Sequence, residues 1–274
     1  MLSGNWKMRR PEPAALAALL LAAAASTGYA QMVNFSHGTT IVLLGSPELI
    51  VAGVDSRETD TRYLSDGTVT VGVRTTCKVA RVGDDYAIVA GLLRGDGGFD
   101  VFRELAAVYR QGDSIDELAG RTAAAIPERL SPLLTRMRET NPGAFRASYS
   151  GKPATQVVLL GANGRKPQTR IVQFVAAEDP AAVRAAPSIL RCLGKCKTYG
   201  YSLGTVDRIA AALRADPALY DHAGEQQVEK LIGLEQSEHP DVVGGPLAIV
   251  QATRAGVAQI RRGACAANGG TGRL

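Results

Sequence analysis

Two apolar runs near the N-terminus, residues 41–44 and 49–54, constrain this chain most. A Gly45-Ser46-Pro47-Glu48 turn joins them. Short uninterrupted apolar runs bounded by turn residues describe strands buried in a core, here a tight hairpin. Gly38-Thr39 opens the first strand, and Asp55-Ser56-Arg57 closes the second. An antiparallel hairpin returns the end of its second strand to the start of its first. The Thr39 hydroxyl and the Asp55 carboxylate are therefore expected to meet at one end of a sheet.

The rest of the chain comes in blocks. Residues 58–67 read as a polar connection with an Asp66-Gly67 turn, and 68–76 as an edge strand of alternating Thr, Val and Gly. Residues 77–82 and 86–93 form a second hairpin across Gly83-Asp84-Asp85. A glycine-rich loop at 95–98 leads into an amphipathic helix over about 100–110, with Val101, Leu105 and Val108 on one face. Asp113-Ser114 starts a second helical region with Ile115, Leu118, Ala119 and Ile126 on its buried face. Pro127 and Pro132 are expected to break or kink it, and Asn141-Pro142-Gly143 to end it. Strands follow at 155–160, 170–176 and 199–203, while 179–188 shows no clear pattern. Helices are expected at 205–214 and 225–237, then a last hairpin at 247–252 and 257–261. Strand and helix blocks that stay separate argue for an α+β fold with mostly antiparallel sheets and helices on the outer faces.

At 274 residues the chain is long enough for one well-buried domain. Its net charge of +5 is spread without a Lys/Arg block, which argues against a nucleic-acid partner. Lys7, Arg9 and Arg10 precede an Ala/Leu-rich run at 14–25 and small residues ending at Ala30. That pattern is a signal peptide over 1–30, making the domain exported, periplasmic or extracellular; an uncleaved anchor is the alternative and the one route to a membrane. The cysteines are Cys77, Cys192, Cys196 and Cys265. An oxidising compartment allows disulfides. Cys192 and Cys196 suggest a local staple, with a metal site the weaker rival, and the connectivity stays open. The Gly/Ala-rich end, 263–274, is expected to be disordered.

Gly38-Thr39-Thr40, a hairpin and then Asp55-Ser56-Arg57 resemble the opening of a proteasome β-subunit, an N-terminal nucleophile hydrolase. The likeness extends to the order of blocks from about Gly38 to Arg262. It implies a four-layer αββα sandwich of two mostly antiparallel sheets over 39–262. It also implies a short propeptide at 31–38 and scission after Gly38. The Thr39 hydroxyl would then be the nucleophile and its freed α-amine the base, since an α-amino group titrates near about 7.7–8.0. Thr40 is the alternative by one position, but its spacing to Asp55 fits less well. Lys78 would be the lysine supported by Asp55 that tunes the threonine. The interval from Asp55 to Lys78 is longer than the family's, which implies an insertion around 62–67, and Arg74 is a weaker candidate for the same role. Gly91 would donate its N–H to an oxyanion, and Val89 would shape the substrate pocket. Asp241, before Val242-Val243-Gly244-Gly245, resembles the family's late supporting aspartate. A valine stands there in place of a serine, and Ser202 is the nearest guess for a second supporting hydroxyl.

These residues lead to an expected threonine-type amide or peptide hydrolase that needs no cofactor. It would act on a peptide or small amide, as a monomer or a homo-oligomer. The alternative is a non-catalytic, unprocessed module of the same fold that serves in binding or assembly.

Overall fold

The computed structural model describes residues 33–63, 68–163, 166–191 and 198–266. The chain begins with β1 (Val33–His37), β2 (Thr40–Gly45), β3 (Leu49–Val54), β4 (Arg57–Tyr63) and β5 (Val69–Thr75). It continues with β6 (Val79–Val82), β7 (Asp85–Gly91) and two short strands, β8 (Arg94–Gly95) and β9 (Phe99–Asp100). Three helices follow: α1 (Val101–Val108), α2 (Ile115–Thr140) and α3 (Pro142–Ser148). Then come β10 (Pro153–Asn163), β11 (Lys166–Glu178), β12 (Val183–Arg191) and β13 (Tyr199–Gly204). Helices α4 (Asp207–Ala215) and α5 (Glu225–Glu238) precede the closing hairpin, β14 (Ala248–Thr253) and β15 (Gly256–Arg261). The result is a mixed α+β fold in antiparallel sheets.

Three five-stranded sheets run in the orders β13-β2-β3-β14-β15, β12-β11-β10-β7-β6 and β5-β4-β1-β8-β9. The continuous apolar runs are explained by burial on both faces. Along β2, Ile41 and Leu43 join a cluster with Ile88, Val158 and Leu160, which come from the second sheet. Val42 and Leu44 point the other way, against Ile209, Val228, Leu231 and Ile232 of α4 and α5. Strand β7 alternates likewise: Ala87 and Val89 pack with Leu118, Ile126 and Leu130 of α2, whereas Ile88 and Ala90 face the first sheet. Each alternate residue finds an apolar surface, so the period-two signal disappears from the sequence.

Several elements differ from expectation. The polar stretch after Arg57 is a strand, β4, because both of its edges find partners: β1 on one side and β5 on the other. Helix α2 runs unbroken through Pro127 and Pro132 for 26 residues. Its buried stripe, from Ile115 and Leu118 to Leu134 and Met137, holds it on the sheet. Pro132 lies on the exposed side, and so does Glu128, whose carbonyl loses its partner there and remains open to water. Ser114 caps the helix start in a reciprocal capping box with Glu117. The stretch without a clear pattern contains β12, which completes the sheet beyond β11. The C-terminal segment is ordered further than its composition suggests. Gly263–Ala266 forms a 3-10 turn, and Cys265 in it is disulfide-bonded to Cys77 across a sequence separation of 188. Cys192, Cys196 and the signal segment lie outside the described residues. Among the described residues, no helix is long and apolar enough to cross a membrane.

Candidate active site

The site forms where the first hairpin ends. Thr40 and Val54 lie at the open ends of β2 and β3, so Thr39 and Asp55 emerge side by side, as the hairpin geometry requires. Asp55 is completely buried, and its carboxylate is fully used. Oδ1 accepts from the Thr40 N–H at 2.8 Å and from Lys78 Nζ at 3.3 Å. Oδ2 accepts from the Arg57 N–H at 3.0 Å and the Gly244 N–H at 3.1 Å. Four donors on one carboxylate offset the cost of burying its charge.

Lys78 is 2% exposed and reaches the same point from the start of β6, on the other large sheet. Its Nζ donates to the Gly38 carbonyl at 2.8 Å and to the Arg57 carbonyl, besides pairing with Asp55. Burial pushes the Lys78 ammonium below its ordinary pKa, and the Asp55 and Glu58 carboxylates pull it back up. The ammonium is thus a desolvated cation aimed at one peptide carbonyl.

That carbonyl belongs to the Gly38–Thr39 bond, and the Thr39 hydroxyl contacts it too. Gly38 has φ +91° and its Cα faces Val242 and Thr59, so a side chain there would be both strained and crowded. Thr39 is held from behind, its own carbonyl accepting from the Thr205 N–H at 2.9 Å. The geometry also separates Thr39 from Thr40. The Thr40 hydroxyl donates to the Thr205 carbonyl at 2.5 Å and is committed to the fold.

A cleft of about 420 Å³ opens beside Thr39. Gly91, Gln156, Gly204, Thr205 and Val242 lie on its wall. Gly91 has φ +84° at the end of β7, where a side chain would collide with the Ala154 carbonyl. Val89 does not line this cleft. It is buried among the residues that pack under α2, because its side chain alternates to the helix-facing side of β7. Asp241 is exposed. Its neighbours reach the site instead: Val242 against Gly38, and Gly244 on Asp55. Arg74 lies apart from Thr39, in a two-pronged pair with Glu58 at 3.0 Å, and hydrogen bonding to that carboxylate raises its pKa. Ser202 lines the cleft and accepts a hydrogen bond from the Tyr220 hydroxyl at 2.9 Å.

Two features had no counterpart in the sequence reading. Thr205 grips Thr39 and Thr40 through its backbone, and its signal was a Gly204-Thr205 pair like the Gly38-Thr39 pair. Strand β1 is the second. It is a central strand, paired with β4 from Val33↔Tyr63 to His37↔Thr59 and with β8 at Phe35↔Gly95 and Ser36↔Arg94. The segment leading to Gly38 is therefore laid into a sheet on both edges. His37, the last residue of β1, bonds through Nε2 to the Thr61 hydroxyl at 3.1 Å.

Comparison with known families finds no family model that matches this sequence, and no curated protein matches it either.

Proposed function

We propose that this chain is a threonine-type amide or peptide hydrolase of the proteasome-like N-terminal nucleophile class, seen before its own scission. The observation that carries the reading is convergence: the Lys78 ammonium and the Thr39 hydroxyl meet on the carbonyl of Gly38. In the proposed step, Thr39 Oγ1 attacks the Gly38 carbonyl carbon. The carbonyl oxygen takes the negative charge, which Lys78 stabilises across 2.8 Å. The bond to the Thr39 nitrogen breaks, the hydroxyl proton goes to that nitrogen, and an ester joins Gly38 to the Thr39 oxygen. Water hydrolyses the ester and leaves a Gly38 carboxylate and a free Thr39 amine. That amine then serves as base for the same hydroxyl in later turnovers.

The three apolar clusters support a four-layer arrangement, helices outside and two sheets inside, with the inner faces of β2, β3, β7 and β10 between the sheets. Departure of β1 would leave a slot between β4 and β8 that an extended peptide fits by strand addition. Export through the N-terminal signal segment belongs to the same proposal. One observation favours the second reading, an unprocessed binding module: β1 already completes its sheet, so the uncut chain is a finished fold.

Intact-mass analysis of the purified full chain decides between them. The expected mature form begins at Thr39, Thr39→Ala keeps the bond intact, and turnover of fluorogenic peptide amides appears as the bond is cut. Scission at the same position in Thr39→Ala would assign the cut to another protease and end the self-processing reading.

A further inference from the structure

The two partners of the buried ion pair come from different sheets. Asp55 follows β3, in the sheet that ends with β14 and β15; Lys78 precedes β6, the edge of the sheet containing β7 and β10. Nothing in the chain's connectivity makes the approach of Lys78 direct. Between Arg57 and Thr76 the backbone travels out along β4 and back along β5, an edge strand whose Val69, Val71 and Val73 are exposed. The hairpin is closed at its neck by the Thr76 N–H on the Ser56 carbonyl at 2.8 Å. The next residue is Cys77, and the one after it is Lys78.

Cys77 is bonded to Cys265, in the turn that follows β15. Strand β15 pairs with β14, and β14 pairs with β3 up to Ala248↔Val54, the residue before Asp55. The disulfide thus ties the residue beside Lys78 to the sheet that carries Asp55. We propose that the Cys77–Cys265 disulfide is a positioning device for Lys78, so that the ammonium reaches the Gly38 carbonyl only when the bond is closed. This rests on the hydrolase reading above. Its consequence is redox dependence: the reduced chain folds but leaves Gly38–Thr39 uncut. Closing the bond takes two electrons and two protons from the two thiols. A disulfide oxidant, such as oxidised glutathione, accepts both and becomes two thiols.

The energetic case is one of geometry. Catalytic groups displaced by about 1 Å lose rates by up to about 10²-fold. An inserted hairpin attached next to the lysine is a source of such displacement, and a covalent tie between the two sheets removes it. Cys77 and Cys265 are not catalytic residues on this view, since neither touches the reacting atoms.

The test uses full-length chain carrying C192S and C196S, so that one disulfide responds. Scission is followed by intact mass across pH with the disulfide closed and then opened by dithiothreitol, with thiols counted by alkylation. Circular dichroism tracks the fold. Opening is expected to slow scission by about 10²-fold and to change its pH profile, because the environment of the ammonium changes. Reoxidation with oxidised glutathione restores the parent, but not a chain also carrying C77S and C265S. A second measurement is independent of catalysis: in a Thr39→Ala background, Lys78 is expected to resist reductive methylation when the bond is closed and to react when it is open. Equal scission rates and profiles in the two states, or unchanged Lys78 labelling, would overturn the proposal. So would slowing that is uniform in pH and tracks loss of fold. A closed parent that is never cut, yet shows the labelling change, would sink the hydrolase reading while leaving the positioning of Lys78 standing.

Discussion

The two hairpins on either side of Asp55 are built by opposite rules. In β2–β3 every strand residue except the half-buried Leu49 is buried, with apolar side chains on both faces. In β4–β5 the strands carry Thr, Glu, Asp and Arg, and all of β5 is exposed. The first hairpin is specified by what it buries. The second is specified by pairing: β1 along one edge of β4, and a bidentate bond from Arg74 to Glu58, with Arg94 3.6 Å from the same carboxylate. Both end at the site, the first delivering Thr39 and Asp55, the second Arg57 and, beyond its neck, Lys78. The difference teaches that a site can rest half on packing and half on paired charge, and that the halves should respond differently to substitution.

The sharpest contrast sets Lys78 against Arg74. Lys78→Ala leaves Asp55 buried with one donor fewer, and breaking a buried pair costs about 3–5 kcal/mol. Thermal melts should show that loss, and intact mass should show Gly38–Thr39 uncut. Lys78→Arg keeps the charge but not the compact shape, and should recover folding more than scission. Arg74 is half exposed, so Arg74→Ala should cost about 1 kcal/mol or less and leave scission near wild type. A dead Arg74→Ala beside an active Lys78→Ala would reverse the assignment of the two cations.

Next in size is the comparison of cores. Leu43→Ala empties a fully buried position between the sheets and should cost about 2–5 kcal/mol. Val71→Ala, on an exposed position of β5, should stay within about 0.5 kcal/mol. Denaturant melts of the two variants check this, and equal losses would mean that β5 is covered in solution.

The smallest expected effect concerns His37 at the end of β1. Burial lowers its pKa from the ordinary 6.5, Asp60 opposes the shift, and Lys78 adds to it. The unfolded chain therefore binds the proton more readily than the folded one. The stability tied to neutral His37 is present above that ordinary value and is lost as pH falls toward the lowered one. In a Thr39→Ala background, which keeps β1 attached, His37→Gln should flatten the pH dependence of melting between about pH 7 and about pH 5. Parallel curves for the two proteins would refute a role for His37 in holding the strand.

What was legible in the sequence follows the same division. Residues 41–54 announced their hairpin because a double-faced apolar run has few other uses. Thr39, Asp55 and Lys78 were legible from residue type and spacing, and they do meet. Strand β4 was not legible, because Arg57–Tyr63 carries no apolar pattern and its partner β1 lies in a stretch read as dispensable. The continuity of α2 was hidden by two prolines whose local cost is outweighed by a long buried stripe. Val89 and Asp241 were placed by likeness alone. Side-chain alternation sends Val89 to the helix side of its strand, and at Asp241 the surrounding backbone, not the carboxylate, reaches the site. The Cys77–Cys265 pairing depends on where two distant chain segments end, which spacing does not encode.

Strand β1 has a further consequence for the order of the process. Before scission its hold on β4 and β8 is intramolecular, and dilution does not affect it. After a cut at Gly38 the same ladder persists, but its tether to Thr39 is gone, and holding becomes association between two molecules. Maturation would then have two clocks, one for breaking the bond and one for the severed strand to leave. Only the second lets a competing peptide in, and only its reversal depends on how concentrated the released strand is.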